Sequence, residues 1–261
     1  MTDSTDSQAP LSSPATDPGR PKGSLIRTMI GNLSVATATF VLGSIATLVG
    51  WIPPRGNWMY KVAQIWSHVT LFVSGVRLKV EFEEELDPNR GYVYMANHQS
   101  MYDIPALIGS MPGQVRFMAK KSLFRIPVFG WALWSGGFIP VDRGNRRAAA
   151  ETYRIAVDYI SKGRSILIFP EQTRSPDGNL LPFKRGGVVI AQQTGALVVP
   201  VGIRGTRDIR PKGSSVIVPG EVKVVYGKPM TIPAGTEDEP VDQKEQIART
   251  RVEVERLLAK S

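Results

Sequence analysis

Residues 28–52 form a run of 25 positions without a charged side chain, and such a segment must be buried in protein or placed in lipid. At about 1.5 Å per residue, a helix of that length covers a hydrocarbon core of about 30 Å. Arg27 and Arg55 bracket the run, and Trp51 and Trp58 stand at its far end like interfacial anchors. Asn32, Ser34, Thr37, Thr39, Ser44 and Thr47 dilute its apolar character, so a buried core helix is the competing possibility. A cleaved leader is not expected, because the run begins late and the small pair Ala36 and Ala38 lies inside it. After Pro53-Pro54, residues 62–76 give a second apolar stretch of 15, with His68 as its one titratable group. That is short for a span but suits a helix lying in one leaflet. Residues 22–76 are therefore expected to form a membrane-associated helical hairpin. Residues 1–21, mostly Ser, Thr, Asp, Pro, Gly and Ala, bury too little to offset ordering entropy and are expected to be a disordered tail.

Beyond the hairpin, short β-type runs alternate with helical segments at the spacing of βα units. Strands are expected at 77–83, 92–96, 115–119, 138–141, 166–169, 196–201 and 222–226, and helices at 101–110, 124–134, 146–161, 187–194 and 243–259. The fold class is α/β, a largely parallel mixed sheet flanked by helices, over residues 77–261. The last helix is amphipathic and carries no functional signal. The balance of 32 Lys+Arg against 23 Asp+Glu gives net charge +9, which favours an anionic partner: nucleic acid, acidic lipid or a phosphorylated substrate. The basic residues are dispersed and form no nucleic-acid module, so no nucleic acid is expected. Absence of cysteine removes thiolate zinc sites and a cysteine acyl-enzyme. Gly-x-Gly-x-x-Gly and P-loop signatures are also missing.

Three constellations can carry chemistry. His98 follows the apolar run 92–96 and precedes a helix, near the carboxyl end of a strand, where open α/β sheets bind ligands. His68, in an apolar helix, is expected to be a satisfied core or interface side chain. Asp103 lies five residues after His98, about 140° round a helix, so direct pairing requires a turn. Ser100-Met101-Tyr102-Asp103 matches a capping box that would supply one. A carboxylate has two oxygens, so Asp103 could hold the cap and also accept from the imidazole; from the residues alone, a dyad and a plain cap both stand. The second constellation is Phe169-Pro170-Glu171-Gln172-Thr173-Arg174-Ser175, again leaving an apolar strand. Arg174 offers a fork for phosphate, Glu171 can accept from hydroxyls and Thr173 can donate. Lys184-Arg185-Gly186-Gly187 opens a helix nearby, which attracts anions, although a plain surface loop would look much the same. Third, Asp142-Arg143 ends the run 138–141, with a surface ion pair as the alternative. With one plausible histidine and no second ligand at helical spacing, no metal is expected.

Together these segments resemble the glycerolipid acyltransferase family. Asn97-His98-Gln99-Ser100-Met101-Tyr102-Asp103 matches its Asn-His-x4-Asp block, residues 137–143 its second block, residues 169–174 its Phe-Pro-Glu-Gly-Thr-Arg block and Val199-Pro200-Val201 its fourth. Order and spacing across about 105 residues make the match specific. Gln172 stands where the third block usually has Gly, which removes easy access to positive φ and bears on local loop shape. The resemblance implies a membrane-bound enzyme in which His98 is the general base and Asp103 its partner. It implies substrate binding by Arg143, Glu171, Thr173 and Arg174, with Lys120 and Lys184 as further candidates. The implied reaction carries a fatty acyl group from acyl-CoA or acyl carrier protein to lysophosphatidic acid, without a cofactor, on the cytoplasmic face of the membrane. Another lysolipid acceptor, or a basic membrane-associated binding protein without catalysis, are the alternatives.

Overall fold

The computed structural model describes residues 24–142, 146–234 and 242–260; the expected tail and Arg143 lie outside them. The chain opens with helices α1 (Leu25–Val49) and α2 (Asn57–Val73). There follow β1 (Val76–Phe82), β2 (Val93–Ala96), α3 (Asp103–Ser110), β3 (Val115–Lys120), a 3₁₀ turn (Lys121–Arg125), α4 (Phe129–Ser135) and β4 (Ile139–Val141). The second half holds α5 (Arg146–Ser161), β5 (Ser165–Ile168), α6 (Gly186–Thr194), β6 (Val198–Arg204), α7 (Thr206–Ile209), β7 (Gly220–Tyr226) and α8 (Gln243–Lys260).

Seven strands form one sheet in the order β1-β7-β6-β2-β5-β3-β4. From β6 to β4 every neighbouring pair is parallel; β7 runs antiparallel to β6, and β1 parallel to β7. Every residue of the central strands β2 and β5 is buried, as expected of parallel strands covered on both faces. The edge strand β1 instead carries Arg77, Lys79 and Glu81, charges that discourage further strand pairing. Alternation along the strands divides the core in two. Tyr94, Leu167 and Val199 pack with Leu107, Phe117 and Phe124 on the face covered by α2, α3 and the 3₁₀ turn. Val93, Met95, Ile166 and Ile168 pack with Val188, Ile190 and Val254 on the face covered by α6 and α8. Each fully buried aliphatic side chain of this kind contributes about 1.5–3 kcal/mol relative to exposure.

The single helix expected over 124–134 is two pieces. Pro127 cannot donate to a helical ladder, and Ile126 before it is extended, with φ −74 and ψ 122. The short helix α7 is also additional to the elements expected.

The hairpin is fused to the sheet domain along its length. α1 packs on α2 and α4, and α2 packs on α3. Asn32 Nδ2 donates to Ser215 O at 2.9 Å near one end of α1, and Ser135 Oγ donates to Ala46 O at 3.2 Å near the other. Arg164 Nη2 donates to Arg55 O at 3.1 Å in the connecting loop. Leu25, Ile26, Met29, Ile30, Leu33, Phe40 and Leu48 are all exposed on the outer side of α1. His68 is exposed on α2, not a core side chain.

At the far end of the sheet, Arg256 on α8 makes a two-pronged contact with Glu83, both arms 2.7 Å, and Lys260 adds a third bond. The Arg256 hydrogen bonds outweigh burial and pull the Glu83 carboxyl from 4.5 down to about 2. A depressed carboxyl stabilises the fold above its unfolded value and loses that contribution as pH falls toward the folded one. The stability gap between wild type and Glu83→Gln is therefore expected to be open at pH 7 and to close between about pH 4.5 and 2, measured by thermal melts in detergent. A gap that does not change with pH rejects this account of α8 docking.

Candidate active site

Because β2, β5, β3 and β4 are parallel neighbours, their carboxyl ends fall along one edge, at about 4.8 Å per strand. Asn97 and His98 leave β2 there, Phe169 to Arg174 leave β5, Lys120 ends β3 and Asp142 follows β4. The buried Asn97 side chain closes the end of β2. Its Nδ2 donates to Ile203 O at 2.9 Å, and its Oδ1 accepts from Ile203 N at 2.8 Å, copying a backbone pair with β6.

His98 Nδ1 is 2.7 Å from Asp103 Oδ2. The same oxygen accepts from the amides of Gln99 at 2.7 Å and Ser100 at 2.9 Å. Dyad and cap are therefore both present, but through one oxygen rather than two. Asp103 Oδ1 is buried without a hydrogen-bond partner among the described residues. Acceptance from Nδ1–H leaves the lone pair on Nε2, the arrangement of a base with a supporting carboxylate. The imidazole stacks on Phe169 at 4.0 Å between ring centres and is partly open to solvent.

Ser100 was expected to start helix α3, but the helix begins at Asp103 with Tyr102 as its cap residue. The tight turn built on Asp103 Oδ2 takes up the preceding residues. Ser100 Oγ accepts from Tyr102 N at 3.2 Å and donates to Arg210 O at 2.6 Å, so this buried hydroxyl is fully engaged.

Glu171 also departs from expectation. It is 4% exposed, and its oxygens accept from His98 N at 2.6 Å and Leu181 N at 2.8 Å. It braces the backbone of His98 and is almost closed to solvent. Burial raises its pKa, and the two amide donors partly offset that shift. Ser175 N donates to His98 O at 2.8 Å, so the loop from β5 grips both sides of the histidine peptide.

Thr173 is exposed and Arg174 half-buried beside that grip, and the Arg174 guanidinium has no hydrogen-bond partner among the described residues. Lys184 is exposed one residue before the α6 cap, with its amide bonded to Pro170 O at 2.9 Å, so the positive end of α6 lies against the loop from β5. Lys120 is exposed at the end of β3, while Asp142 contacts Lys121 at 3.5 Å. Arg210 and Lys212, in the connection from β6 to β7, join the site without any local sequence signal. Their partners lie 110 and 38 residues away.

Gln172 sits at φ +60, the left-handed region. The backbone keeps the conformation that glycine adopts freely, at a cost of roughly 1–2 kcal/mol for a residue with a Cβ. Gln172→Gly is expected to raise stability by up to about 1 kcal/mol, after allowing for the greater freedom of glycine in the unfolded chain. Gln172→Val should lower it. Denaturant melts that rank the glycine variant below wild type contradict this.

Residues 77–204 match the family model described as Acyltransferase. The chain is 35% identical over 178 residues to the chloroplastic 1-acyl-sn-glycerol-3-phosphate acyltransferase BAT2 of Brassica napus, covering 67% of this chain and 51% of that one. It spans about half the length of such plastid relatives. With the 1-acyl-sn-glycerol-3-phosphate acyltransferase of Pseudomonas aeruginosa it shares 31% identity over 211 residues, covering 78% of this chain and 80% of the relative. The crystal structure of the 1-acyl-sn-glycerophosphate acyltransferase PlsC from Thermotoga maritima superposes with TM-score 0.75 at 26% identity, covering 90% of this chain and 95% of that one.

Proposed function

The chain belongs to the acyltransferase family that contains the 1-acyl-sn-glycerol-3-phosphate acyltransferases, and on that premise we propose that it acylates lysophosphatidic acid to phosphatidic acid. The observation that carries the proposal is the 2.7 Å contact of His98 Nδ1 with the buried Asp103, which leaves Nε2 free at the edge of the sheet.

Nε2 takes the proton from the acceptor hydroxyl as its oxygen attacks the thioester carbonyl carbon. The tetrahedral intermediate collapses with C–S cleavage, and the imidazolium returns the proton to the departing thiolate. A positioned base of this kind contributes about 10²–10⁴ in rate. Asp103 holds the tautomer and stabilises the imidazolium. Arg174, together with Arg143, Lys120 and Lys184, attracts the acceptor phosphate, with Thr173 as a donor on the same loop, and Glu171 acts from behind through the His98 peptide. The donor is acyl-CoA or an acyl carrier protein thioester. Its acyl group arrives activated, so the route calls for no cofactor.

Direct transfer, without an acyl-enzyme, is supported by the absence of cysteine and by the engaged hydroxyl of Ser100. His98→Ala is expected to lower kcat by about 10² or more with the fold retained, and Asp103→Asn should fall between that variant and wild type. Ser100→Ala should cost about 1–2 kcal/mol of stability through its lost hydrogen bonds and keep much of the activity. Matched melts and steady-state assays test the set. Labelled acyl group retained on the protein after donor alone, and lost in Ser100→Ala, contradicts direct transfer.

The same proposal places the enzyme on the cytoplasmic face of a membrane, its net charge of +9 suited to anionic lipid there. α1 is long and apolar enough to cross, with mean hydropathy 1.6. Its bonds to Ser215 at one end and to Ser135 at the other support a helix lying along one leaflet instead. The chain has no cysteine, so Ser24→Cys and Arg55→Cys provide unique labels near the two ends of α1. An impermeant maleimide is expected to reach both from the same side of sealed vesicles; labelling from opposite sides would show that α1 spans.

A further inference from the structure

We propose that Lys212 binds the phosphate of the acceptor, as a further cation beside Arg174. The inference rests on the lysophosphatidic acid proposal above and adds to it a residue outside all four sequence blocks.

Residues 205–219 leave β6 at the same edge as His98 and return to β7. This connection is pinned on several sides. Arg210 Nη1 donates to Asn32 Oδ1 at 3.2 Å and its Nε to Ser214 O at 2.9 Å. Arg210 O accepts from Ser100 Oγ at 2.6 Å, and Val218 N donates to Ile209 O at 2.9 Å. Within that frame Pro211-Lys212-Gly213-Ser214 forms a turn closed by Ser214 N to Pro211 O at 3.1 Å. Gly213 has φ +84, the value a type II turn requires at its third position, where glycine is favoured. Lys212 is therefore the second residue of a tight turn in a braced connection, not a lysine on a loose loop.

From there Lys212 Nζ donates to Arg174 O at 3.0 Å and to Thr173 Oγ1 at 3.3 Å. An ammonium has three N–H bonds, so one is left over. Ser175, the next residue, donates its amide to His98 O at 2.8 Å. With ordinary peptide dimensions, that chain of contacts holds Nζ within about 8 Å of the His98 carbonyl oxygen. The acceptor hydroxyl and phosphate of lysophosphatidic acid are only a few bonds apart, so a hydroxyl at His98 brings its phosphate to this loop.

The charge is also uncommitted. Lys79, Lys121, Lys162, Lys223 and Lys260 each pair with a carboxylate, whereas exposed Lys212 has none within ion-pair distance among the described residues. A phosphate monoester carries about −1.5 to −2 at pH 7 and has three acceptor oxygens, so it takes up more than one cation. Lys212 Nζ rests on the backbone carbonyl of Arg174, so its charge adds to that of the loop from β5.

The test is steady-state kinetics in mixed micelles, with lysophosphatidic acid and acyl-CoA varied separately, on wild type, Lys212→Ala and Lys212→Arg. The acceptor KM of Lys212→Ala is expected to rise about tenfold, with kcat and donor KM within about twofold of wild type. Lys212→Arg should recover most of the loss. An unchanged acceptor KM overturns the inference. So does a rise in donor KM alone, or a fall in kcat accompanied by a lower Tm, which would make Lys212 a strut for the loop. Wild type that does not acylate lysophosphatidic acid overturns the functional proposal, and this inference with it. An active wild type with an indifferent Lys212→Ala overturns the inference alone.

Discussion

Two buried carboxylates hold His98 from opposite sides. Asp103 Oδ2 takes the ring at Nδ1 and the amides of the next two residues, while Glu171 Oε1 takes the amide of His98 itself. Burying a carboxylate is costly unless hydrogen bonds replace the lost water. Here most of the replacements are backbone N–H groups of residues 98–100, with Leu181 N on the second oxygen of Glu171, so the donors that satisfy these carboxylates also fix the histidine. The imidazole is thereby oriented by the Asp103 carboxylate at Nδ1 and by the stacked Phe169 ring, while its peptide is held by Glu171 and Ser175. A side chain positioned in this way needs little reorganisation when its protonation changes, which is the advantage of a preorganised site.

That clamp exists only because of the strand order. β2 and β5 are adjacent and parallel, so residues 98 and 171, 73 apart in sequence, emerge side by side. β6 lies on the other flank of β2, and Asn97 locks the two together just before His98. The connection that leaves β6 then crosses back over the loop from β5. Tight approach on the opposite face completes the arrangement. A Cβ at Gly187 would lie 2.6 Å from Met95 Sδ, so the start of α6 rests directly on β2.

Much of this architecture was legible from local pattern. Short apolar runs marked the central strands, because buried parallel strands are apolar throughout, while β1 and β7 showed as alternating apolar and charged residues. The break at Pro127 was equally local and was missed by letting helical periodicity outweigh the missing donor. Glu171 was a different kind of miss. Its residue type suited a substrate contact, and its true partners, the amides of His98 and Leu181, are defined only once β5 lies beside β2. Ser100 was read as a cap because its spacing to Asp103 fits one, yet Asp103 also serves the ring, and the helix starts later. At Gln172 the expected difficulty is real, and the loop accepts the left-handed conformation regardless. Loop closure around His98 outweighs a local cost of roughly 1–2 kcal/mol.

Arg210 extends the same logic to α1. Its guanidinium contacts Asn32 on α1, and its carbonyl accepts from Ser100, two residues beyond His98. α2 meets the same turn from another direction, through the hydrogen bond between Ser74 Oγ and Tyr102 Oη at 2.6 Å. Each helix of the hairpin therefore has a short polar path to the residues that orient the base. Such contacts limit how far the hairpin can tilt independently of the His98 turn, because a shift of a few ångströms would break them, and the buried Ser74–Tyr102 pair alone would cost about 1–3 kcal/mol. The apolar side chains exposed on α1 and the turn that carries His98 are consequently parts of one connected unit.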